Sequence, residues 1–251
     1  MPLQTVESSR LYRQIAEQVR GLIVAGEFAT GKRLPAERDL ARQLGVSRPS
    51  VREALIALEV EGWVEVRSGS GIYVQEARQR SAARAPANGH GGGADWGPLQ
   101  LMQARELVEG EVAALAARHA RPPHVAAIGG ALQQMQDEVA AGIVPRAGDE
   151  AFHNAIADSC RNEVLSDTVR GYWQARRGPL SERLGDHFEN PPSWQRALGE
   201  HAAILEAIRE RDPLAARAAM QQHLRRAYAR YSGSWGRANT PDTPSNQGDT
   251  P

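Results

Sequence analysis

Apolar positions in the first third of the chain recur first at helical and then at strand spacing. A stripe of apolar residues falls three and four positions apart: Val51, Ala54, Leu55 and Leu58. This period predicts an amphipathic helix with one buried face. Downstream, Val64 and Val66 alternate with polar residues, and an apolar segment at 72–74 follows a Ser/Gly turn at 68–71. The pattern therefore predicts a helix followed by a two-stranded hairpin with a glycine-rich tip.

A shorter helix is predicted immediately before this one. Pro35 suits the first turn of a helix, and Gly45 suits the residue at which a helix stops. Ser47 can then cap the N-terminus of the next helix. Two helices joined by a tight turn at 45–47 and followed by a hairpin form a winged helix-turn-helix. The second helix of such a unit has the size to enter the major groove of DNA.

From residue 99 onward the apolar period is helical, and no segment alternates like a strand. The first stripe contains Leu101, Leu107, Val108, Val112, Leu115 and Ala116. Further helices are predicted at about 123–141, 149–160, 164–177, 194–210 and 213–231, with a loop around Pro191-Pro192. Asp212 suits an N-cap and Pro213 a first helical residue, so the last two helices form an antiparallel hairpin. The predicted fold class is mainly α, with an N-terminal winged helix-turn-helix (three helices plus a β-hairpin wing) and a C-terminal all-α helical bundle.

Composition sets the domain boundaries. Residues 78–98 are rich first in Arg and Ala and then in Gly, without a hydrophobic period, which predicts a flexible linker. Residues 232–251 are rich in Pro, Gly, Asn and Thr, which predicts a disordered tail. The predicted domains are therefore a DNA-binding domain at 1–77 and an all-α domain at 99–231.

Charge is informative only locally. The chain of 251 residues has a formal net charge of zero, and residues 1–77 contain ten basic and ten acidic residues. Between residues 32 and 52, however, six basic residues face two acidic ones, a local charge of +4 on the segment that would meet phosphate. The alternative is a generic three-helix domain with solvated arginines, but caps, turn, stripe and wing all agree with DNA binding in one short window.

Other features restrict the class of protein. The single cysteine, Cys160, excludes an internal disulfide framework and is expected to be a small buried hydrophobic residue. Met1 leads into polar sequence, so no signal peptide is expected, and no apolar run approaches about 20 residues, so no membrane span is expected. The sequence therefore predicts a protein of the reducing cytoplasm.

The first domain resembles a known family. LPAERDLARQLGVSRPSVREALIALEVEGWVEVRSGSGIYV at 34–74 and LYRQIAEQVRGLIVAGEFATGKRL at 11–34 resemble the winged helix-turn-helix of GntR-type bacterial regulators. The resemblance implies a homodimer on a short, two-fold symmetric operator of double-stranded DNA. By position it implies that five residues meet DNA, three arginines together with a phosphate-binding serine and the glycine of the wing tip: Arg38, Arg48, Arg52, Ser47 and Gly69. Arg48 and Arg52 lie off the apolar stripe, so both are expected to be exposed.

Histidine spacing in the second domain predicts a convergence of side chains. His201 lies 11 residues before Asp212 and His223 lies 11 after it, so each is roughly 16 Å from the turn of the hairpin. Asp149 and His153 are i and i+4 on one helical face. If that helix packs on the hairpin, one carboxylate and three imidazoles meet, a set that suits zinc, nickel or manganese. On spacing alone, separate surface or core residues remain an alternative.

The second domain also resembles a family. ARELVEGEVAALAA at 104–117, DEAFHNAIADSCRNEVL at 149–165 and EHAAILEAIRERDPLAARAAMQQHL at 200–224 resemble the FCD ligand-binding domain of FadR-like GntR regulators. The metal-binding members use one Asp and three His in these motifs, which implies the ligands Asp149, His153, His201 and His223, with zinc as the first candidate ion. The acyl-CoA-binding branch lacks that set. The resemblance also implies that Arg105 holds a small carboxylate effector, whereas Arg105 and Glu109 at i,i+4 spacing could be a simple surface pair.

Together these features predict a DNA-binding transcriptional repressor whose operator affinity responds to a small organic acid. His119, His124 and His187 match no motif position and are expected at the surface. A metalloenzyme fused to a DNA-binding domain is the alternative, because an Asp/His metal site with an open position can activate water. No residue in the motifs stands out as a general base, which favours a sensor.

Overall fold

The computed structural model describes residues 11–67, 69–76 and 96–233. Most of the predicted linker and nearly all of the predicted tail lie outside the described residues. The N-terminal domain consists of α1 (Leu11–Val24), α2 (Glu37–Leu44), α3 (Arg48–Val60), β1 (Val64–Arg67) and β2 (Gly71–Val74). The predicted winged helix-turn-helix is confirmed, with α2 and α3 as its helix pair and the antiparallel hairpin as its wing.

Local chemistry explains where α2 and α3 begin and end. Gly45 adopts the left-handed conformation with φ 67°, and its N–H bonds to the Ala41 carbonyl, which ends α2. The Ser47 hydroxyl accepts a hydrogen bond from the Ser50 N–H at 3.2 Å, which confirms Ser47 as the N-cap of α3. The expectation that Pro35 opens α2 is wrong, because the extended residue before the helix is Ala36 and Pro35 precedes it.

The predicted apolar stripe of α3 forms the centre of the N-terminal core. Its four residues are completely buried: Val51, Ala54, Leu55 and Leu58. They pack against α1 and against the inward-facing residues of the wing, where Val64 pairs with Val74 and Val66 with Ile72. This packing fixes the position of α3 relative to the wing.

The C-terminal domain consists of seven helices. They are α4 (Pro98–His119), α5 (Pro122–Ala140), α6 (Arg146–Ser159), α7 (Glu163–Arg176), α8 (Pro179–Phe188), α9 (Pro191–Arg209) and α10 (Pro213–Ser232). Helix α8 was not predicted, and the expected loop around Pro191-Pro192 is wrong, because these prolines open α9. Proline suits the first helical turn, where its missing N–H would have no helical partner. Asp212 caps α10, as expected, by accepting from the Leu214 and Ala215 N–H groups.

Alanine-rich faces bring the C-terminal helices close together. Helix α4 packs along α10, and α6 packs against α5 and α4. The core contains Ala113, Ala116 and Phe152 with no exposed surface, and Cys160 is buried as expected. No helix within the described ranges is both long and apolar enough to span a membrane.

The two domains share a third apolar cluster. Ile56 of α3 packs with Leu99 and Met102 of α4, with Phe188 of α8 and with Tyr231 of α10. The cluster makes α3 a structural member of both domains. Its N-terminal end carries the residues expected to meet DNA, while one of its faces is covered by the second domain.

Candidate functional site

Four side chains from three helices converge inside the C-terminal domain. Asp149 and His153 come from α6, His201 from α9 and His223 from α10. All four are buried, and one ligand atom from each lies within 4.8 Å of the others. The ring centroids of His201 and His223 are 4.3 Å apart, which confirms that the helical hairpin brings them to one level. The alternative of separate surface or core residues is therefore wrong.

A hydrogen-bond partner fixes the orientation of each imidazole. His153 Nδ1 lies 2.5 Å from Glu109 Oε2, His201 Nδ1 lies 2.7 Å from the Ala197 carbonyl oxygen, and His223 Nδ1 lies 2.8 Å from Glu200 Oε2. A histidine that binds a metal through Nε2 typically donates its Nδ1–H to such an acceptor. The arrangement leaves the Nε2 atoms available as ligand atoms.

The orientation of His201 creates a contact that a cation would relieve. His201 Nδ1 lies 2.7 Å from the Ala197 oxygen and its Nε2 lies 3.0 Å from Asp149 Oδ1, so in the tautomer that donates Nδ1–H to Ala197 the Nε2 lone pair faces the carboxylate. His153 Nε2 is buried without a hydrogen-bond partner, 3.6 Å from the same oxygen. Acceptor atoms that face one another in a buried site fit the donor set of a divalent ion, because a cation satisfies all of them.

The ionisation of Asp149 and His223 suits ligation, whereas that of His153 does not. Burial disfavours a charged Asp149, but the neighbouring His153 and His201 outweigh it and hold the Asp149 pKa well below its ordinary value. Burial and the adjacent histidines hold the pKa of His223 well below its ordinary value, so its ring is neutral at pH 7. An ionised carboxylate and a neutral imidazole are the forms that bind metal ions. Burial lowers the pKa of His153, but Glu109 and Asp149 outweigh it and raise that pKa, so this ring must release a proton when it binds a metal ion.

Glu109 and Glu200 were missed as parts of this site. Glu109 was considered only as a member of a surface pair with Arg105, and this alternative is wrong, since both residues are almost completely buried. Arg105 and His153 outweigh the effect of burial and lower the Glu109 pKa to about 2, so Glu109 is a fixed negative charge behind His153. A signal existed in the sequence for Glu200, which directly precedes His201 in the motif.

A small cavity of about 30 Å³ adjoins the cluster. Its lining includes Asp149 and His223 from the cluster, together with polar residues from the surrounding helices: Arg105, Arg176, Glu189 and Tyr231. A third arginine, Arg230, also lines the cavity. The three arginines face two carboxylates, those of Asp149 and Glu189, and the excess of positive charge favours an anion.

The guanidinium groups of Arg105 and Arg176 both pack against one aromatic ring, that of Trp173. Their guanidinium carbons lie 4.5 and 4.3 Å from the centre of the Trp173 ring. Arg105 bonds Glu109 at 2.5 Å, and Arg176 lies 3.3 Å from Asp149 Oδ2. The structure thus places Arg105 beside the cluster as expected. It adds Arg176, which belongs to no motif that the sequence singled out.

The DNA-facing residues fall into two groups. The side chains of Arg38 and Arg48 are 77% and 47% exposed, and Ser47 and Gly69 are exposed as well. Gly69 lies in the wing turn with φ 73°, a conformation that favours glycine. Four of the five expected residues therefore lie on accessible surface around the N-terminus of α3 and the wing tip.

Arg52 is the exception, and the expectation that it is exposed is wrong. It has no exposed surface. Its Nε and Nη2 donate to Glu37 Oε2 at 3.0 and 2.7 Å, and its Nη1 donates to the main-chain oxygen of Tyr231 at 2.6 Å. The stripe of α3 correctly placed Arg52 away from the N-terminal core. Helical periodicity did not reveal that α10 of the other domain covers that face.

The interface around α3 contains further buried charges. Glu59 accepts from Arg183 at 2.8 Å and lies 2.6 Å from His187, so the surface position expected for His187 is wrong. Glu53 accepts from the Leu99 N–H at 2.6 Å, at the N-terminus of α4. A Cβ at Gly97 would lie 2.7 Å from the Glu53 carboxylate, so glycine is required for this approach.

Comparison with known families covers both domains. The model of the bacterial regulatory proteins of the gntR family matches residues 11–74, and the FCD domain model matches residues 100–226. Among solved structures, a GntR protein of Streptococcus agalactiae is 25% identical, with a TM-score of 0.44, over 86% of this chain and 98% of that chain.

Individual relatives are similar over most of their length. The Uxu operon transcriptional regulator of Escherichia coli (strain K12) is 38% identical over 86% of this chain and 85% of its own. The Exu regulon transcriptional regulator of the same organism is 36% identical over 88% and 84%. The HTH-type transcriptional regulator LutR of Bacillus subtilis (strain 168) is 33% identical over 81% and 93%. All three are transcriptional regulators.

Proposed function

Because the chain belongs to the GntR family and is a transcriptional regulator with an FCD domain rather than an enzyme, we propose that it is a metal-dependent repressor. In this proposal a small carboxylate that binds beside the metal site of the C-terminal domain changes the affinity of the N-terminal domain for its operator. The proposed location is the cytoplasm.

The observation that carries this proposal is the orientation of the three histidines. Each Nδ1 has an acceptor of its own. The Nε2 atoms of His153 and His201 lie near Asp149 Oδ1, and one nitrogen of His223 lies within 4.8 Å of the other ligand atoms. Asp149, His153, His201 and His223 would hold a divalent ion, with zinc as the first candidate and nickel or manganese as alternatives. When bound, the ion supplies a centre of net positive charge that attracts an anion.

Arginines beside the cluster would orient such an anion. Arg105 would bind a carboxylate oxygen with its planar fork of donors, and Arg176 adds a second positive charge on the same side. The Trp173 ring restricts both guanidinium groups, so little side-chain freedom is lost when a ligand binds. These features favour a small organic acid over a neutral ligand.

On the DNA side, α3 and the wing of each chain would bind one half of a two-fold symmetric operator. One recognition helix reads only a half-site, which supports a homodimer. Arg48 would reach base edges or phosphate, Arg38 and Ser47 would contact phosphate, and Gly69 would let the wing tip approach the backbone. The role of Arg52 as a fifth DNA contact requires that it leave its buried position.

The relatives support control of a gene set. The names of the two Escherichia coli regulators refer to an operon and to a regulon. All three relatives are named as transcriptional regulators, so the metalloenzyme alternative is not proposed. Repression rests on a steric argument, since a dimer that covers a promoter excludes polymerase, and transcription from a promoter with the selected operator would test it.

Metal content tests the first half of the proposal. The purified wild-type protein should carry about one divalent ion per chain after dialysis, consistent with one protein site of four ligands. His201→Ala should lose the ion and the stabilisation that added zinc provides, because binding to the folded state raises stability. His119→Ala, outside the cluster, is the matched control. Elemental analysis and thermal unfolding are the measurements, and a metal-free wild type that gains no stability from zinc, nickel or manganese contradicts the proposal.

Effector response tests the second half. A thermal-shift screen of small organic acids identifies a ligand, and anisotropy with a duplex selected by the wild-type protein measures operator affinity. We expect Arg105→Lys to retain operator binding and lose the response to the ligand, because lysine keeps the charge beside Glu109 without the bidentate fork. Arg217→Lys, whose partner Glu111 lies at the surface, is the control. A wild-type response in Arg105→Lys would show that the ligand binds elsewhere.

A further inference from the structure

Tyr231 joins the effector cavity to the helix that faces DNA. It lies in the last turn of α10, lines the cavity and packs in the apolar cluster shared by the two domains. We propose that Tyr231 is a positioning residue that withholds Arg52 from DNA and links this restraint to the effector site. This inference rests on the proposed function, because it takes α3 to be the helix that reads the operator.

All three nitrogens of the Arg52 guanidinium are engaged in hydrogen bonds. They donate to Glu37 and to the main-chain oxygen of Tyr231, and the guanidinium carbon lies 5.2 Å from the centre of the Phe188 ring. Reading a guanine requires two of these N–H groups in the major groove. Arg52 cannot make that contact while Tyr231 and Phe188 cover it.

Arg48 on the same helix shares a partner with Arg52 but differs in exposure. Arg48 lies one turn earlier and also bonds Glu37, at 3.2 Å, yet its side chain is 47% exposed. The shared Glu37 therefore does not remove an arginine from solvent. What distinguishes Arg52 is the second domain, which supplies both the Tyr231 oxygen and the Phe188 ring.

The contact with Arg52 lies at the C-terminal end of α10. Helix α10 ends at Ser232, so the Tyr231 carbonyl belongs to the last turn, whose oxygens lack helical partners. A cation at this end also interacts favourably with the helix dipole. Arg52 therefore stabilises the last turn of α10, and an ordered last turn in return holds Arg52.

The last turn of α10 also reaches the cavity. The Tyr231 hydroxyl donates a hydrogen bond to Glu189 Oε1, and both residues line the cavity beside Arg105 and Arg176. Burial and the nearby Glu189 raise the pKa of the Tyr231 phenol, so it stays protonated and remains a donor. An anion that enters the cavity therefore lies against the residue whose main-chain oxygen holds Arg52.

The test removes one hydroxyl. The probe is a duplex that the wild-type protein selects from a random-sequence library, and anisotropy at fixed salt measures affinity. Tyr231→Phe keeps the ring but loses the bond to Glu189, so the last turn of α10 should loosen and release Arg52 more often. We expect operator affinity to rise about 5-fold or more, the lower end of typical couplings between sites. Thr168→Val, which removes an exposed hydroxyl of the C-terminal domain, should leave affinity unchanged.

A purely structural role of Tyr231 would give a different result. It predicts a lower melting temperature with unchanged or weaker operator binding, and that outcome overturns the inference. The gain in affinity should also be confined to the selected duplex and be absent on a scrambled duplex of equal length, because base contacts carry the sequence preference. An equal gain on both duplexes overturns the inference.

Dependence on Arg52 gives the second test. Tyr231→Phe combined with Arg52→Gln should bind the duplex no better than Arg52→Gln alone, since coupled residues are not additive. A gain in affinity that persists in the double variant overturns the inference. If Arg52→Gln does not fold, the comparison of Tyr231→Phe on the selected and scrambled duplexes is the deciding test. A wild-type protein that selects no sequence overturns the proposed function itself. A protein that selects one, is weakened by Arg48→Ala and gains nothing from Tyr231→Phe overturns only the role of Tyr231.

Discussion

Both the candidate metal cluster and the interface around α3 bury charged side chains, but they satisfy these groups in different ways. At the interface, Glu37 accepts from Arg48 and Arg52, and Glu59 accepts from Arg183 and from a main-chain N–H. In the cluster, by contrast, the Nε2 atoms of His201 and His153 lie 3.0 and 3.6 Å from the same Asp149 oxygen, while the Nδ1 atom of each ring lies beside another acceptor.

The difference between the two regions shows how a buried interface between domains can be distinguished from a buried binding site. Both regions contain ionisable groups removed from water, so burial alone does not distinguish them. Donors matched to acceptors hold two elements together, whereas acceptors that converge on one point require an additional cation. The same criterion identifies Glu109 and Glu200 as supports, because each accepts the outer N–H of a ligand histidine.

The largest effect is expected where the interface is broken. Arg52→Ala leaves the Glu37 carboxylate without its buried partner and should lower the free energy of unfolding by about 3–5 kcal/mol. Arg42→Ala, which removes an exposed partner of Asp39, should cost at most about 1 kcal/mol. Urea denaturation of both variants measures the difference. Equal costs would mean that the buried pair contributes no more than a surface ion pair, and the contrast between the regions would fail.

A smaller effect is expected from Glu53 as pH changes. Burial raises its pKa from 4.5 to about 7, although hydrogen bonds from the N–H groups of Leu99 and Gln100 favour the charged form. The folded protein therefore binds this proton more tightly than the unfolded chain. Stability from this group is fully present below about pH 4.5 and is lost as pH rises through 7. The loss between pH 5 and 8 should be roughly 2.5 kcal/mol.

Glu53→Gln isolates this contribution, because glutamine can still accept from the Leu99 N–H without ionising. We expect the difference in unfolding free energy between Glu53→Gln and wild type to move in favour of the variant as pH rises from 5 to 8. Glu27→Gln serves as an exposed control in the same domain. Parallel pH profiles of wild type and Glu53→Gln would contradict a raised pKa at the interface.

The smallest effect is expected behind the metal cluster. Glu200→Gln keeps the shape of the partner of His223 but removes its charge, and it should weaken zinc binding by about 10- to 100-fold. Glu206→Gln, an exposed residue of the same helix paired with Arg209, is the matched control. Competition with a chelating dye measures both affinities. If Glu200→Gln binds zinc like wild type, Glu200 is a structural partner of Arg226 rather than a support of His223.

Much of the fold follows from sequence because its causes are local. The stripe of α3, the Ser47 and Asp212 caps and the left-handed Gly45 depend on neighbours within a few residues. Helix α8 escaped prediction because it is short and follows α7 after only Arg177 and Gly178. The prolines at 191–192 indicated a loop, although proline is equally compatible with the start of a helix.

The candidate site could be predicted from the sequence for a related reason. Two arms of equal length around Asp212 bring His201 and His223 to one level, and i,i+4 spacing places Asp149 beside His153. Such geometry follows from regular helices and one turn. Arg176 of α7 and Glu189 at the end of α8 reach the cavity through helix packing that no local pattern specifies, so neither could be chosen from the sequence alone.

What the sequence determined by itself is therefore the winged helix-turn-helix, most of the helices with their Ser47 and Asp212 caps, and the residue types that can ligate a metal ion. Only the tertiary structure decided that the face of α3 outside the N-terminal core is covered by the second domain. Helical periodicity separates the face that packs within its own domain from the remaining surface, but it carries no information about a second domain. Arg52 was consequently expected in solvent, whereas packing of α8 and α10 against α3 removes it from water and assigns it a partner 179 positions away.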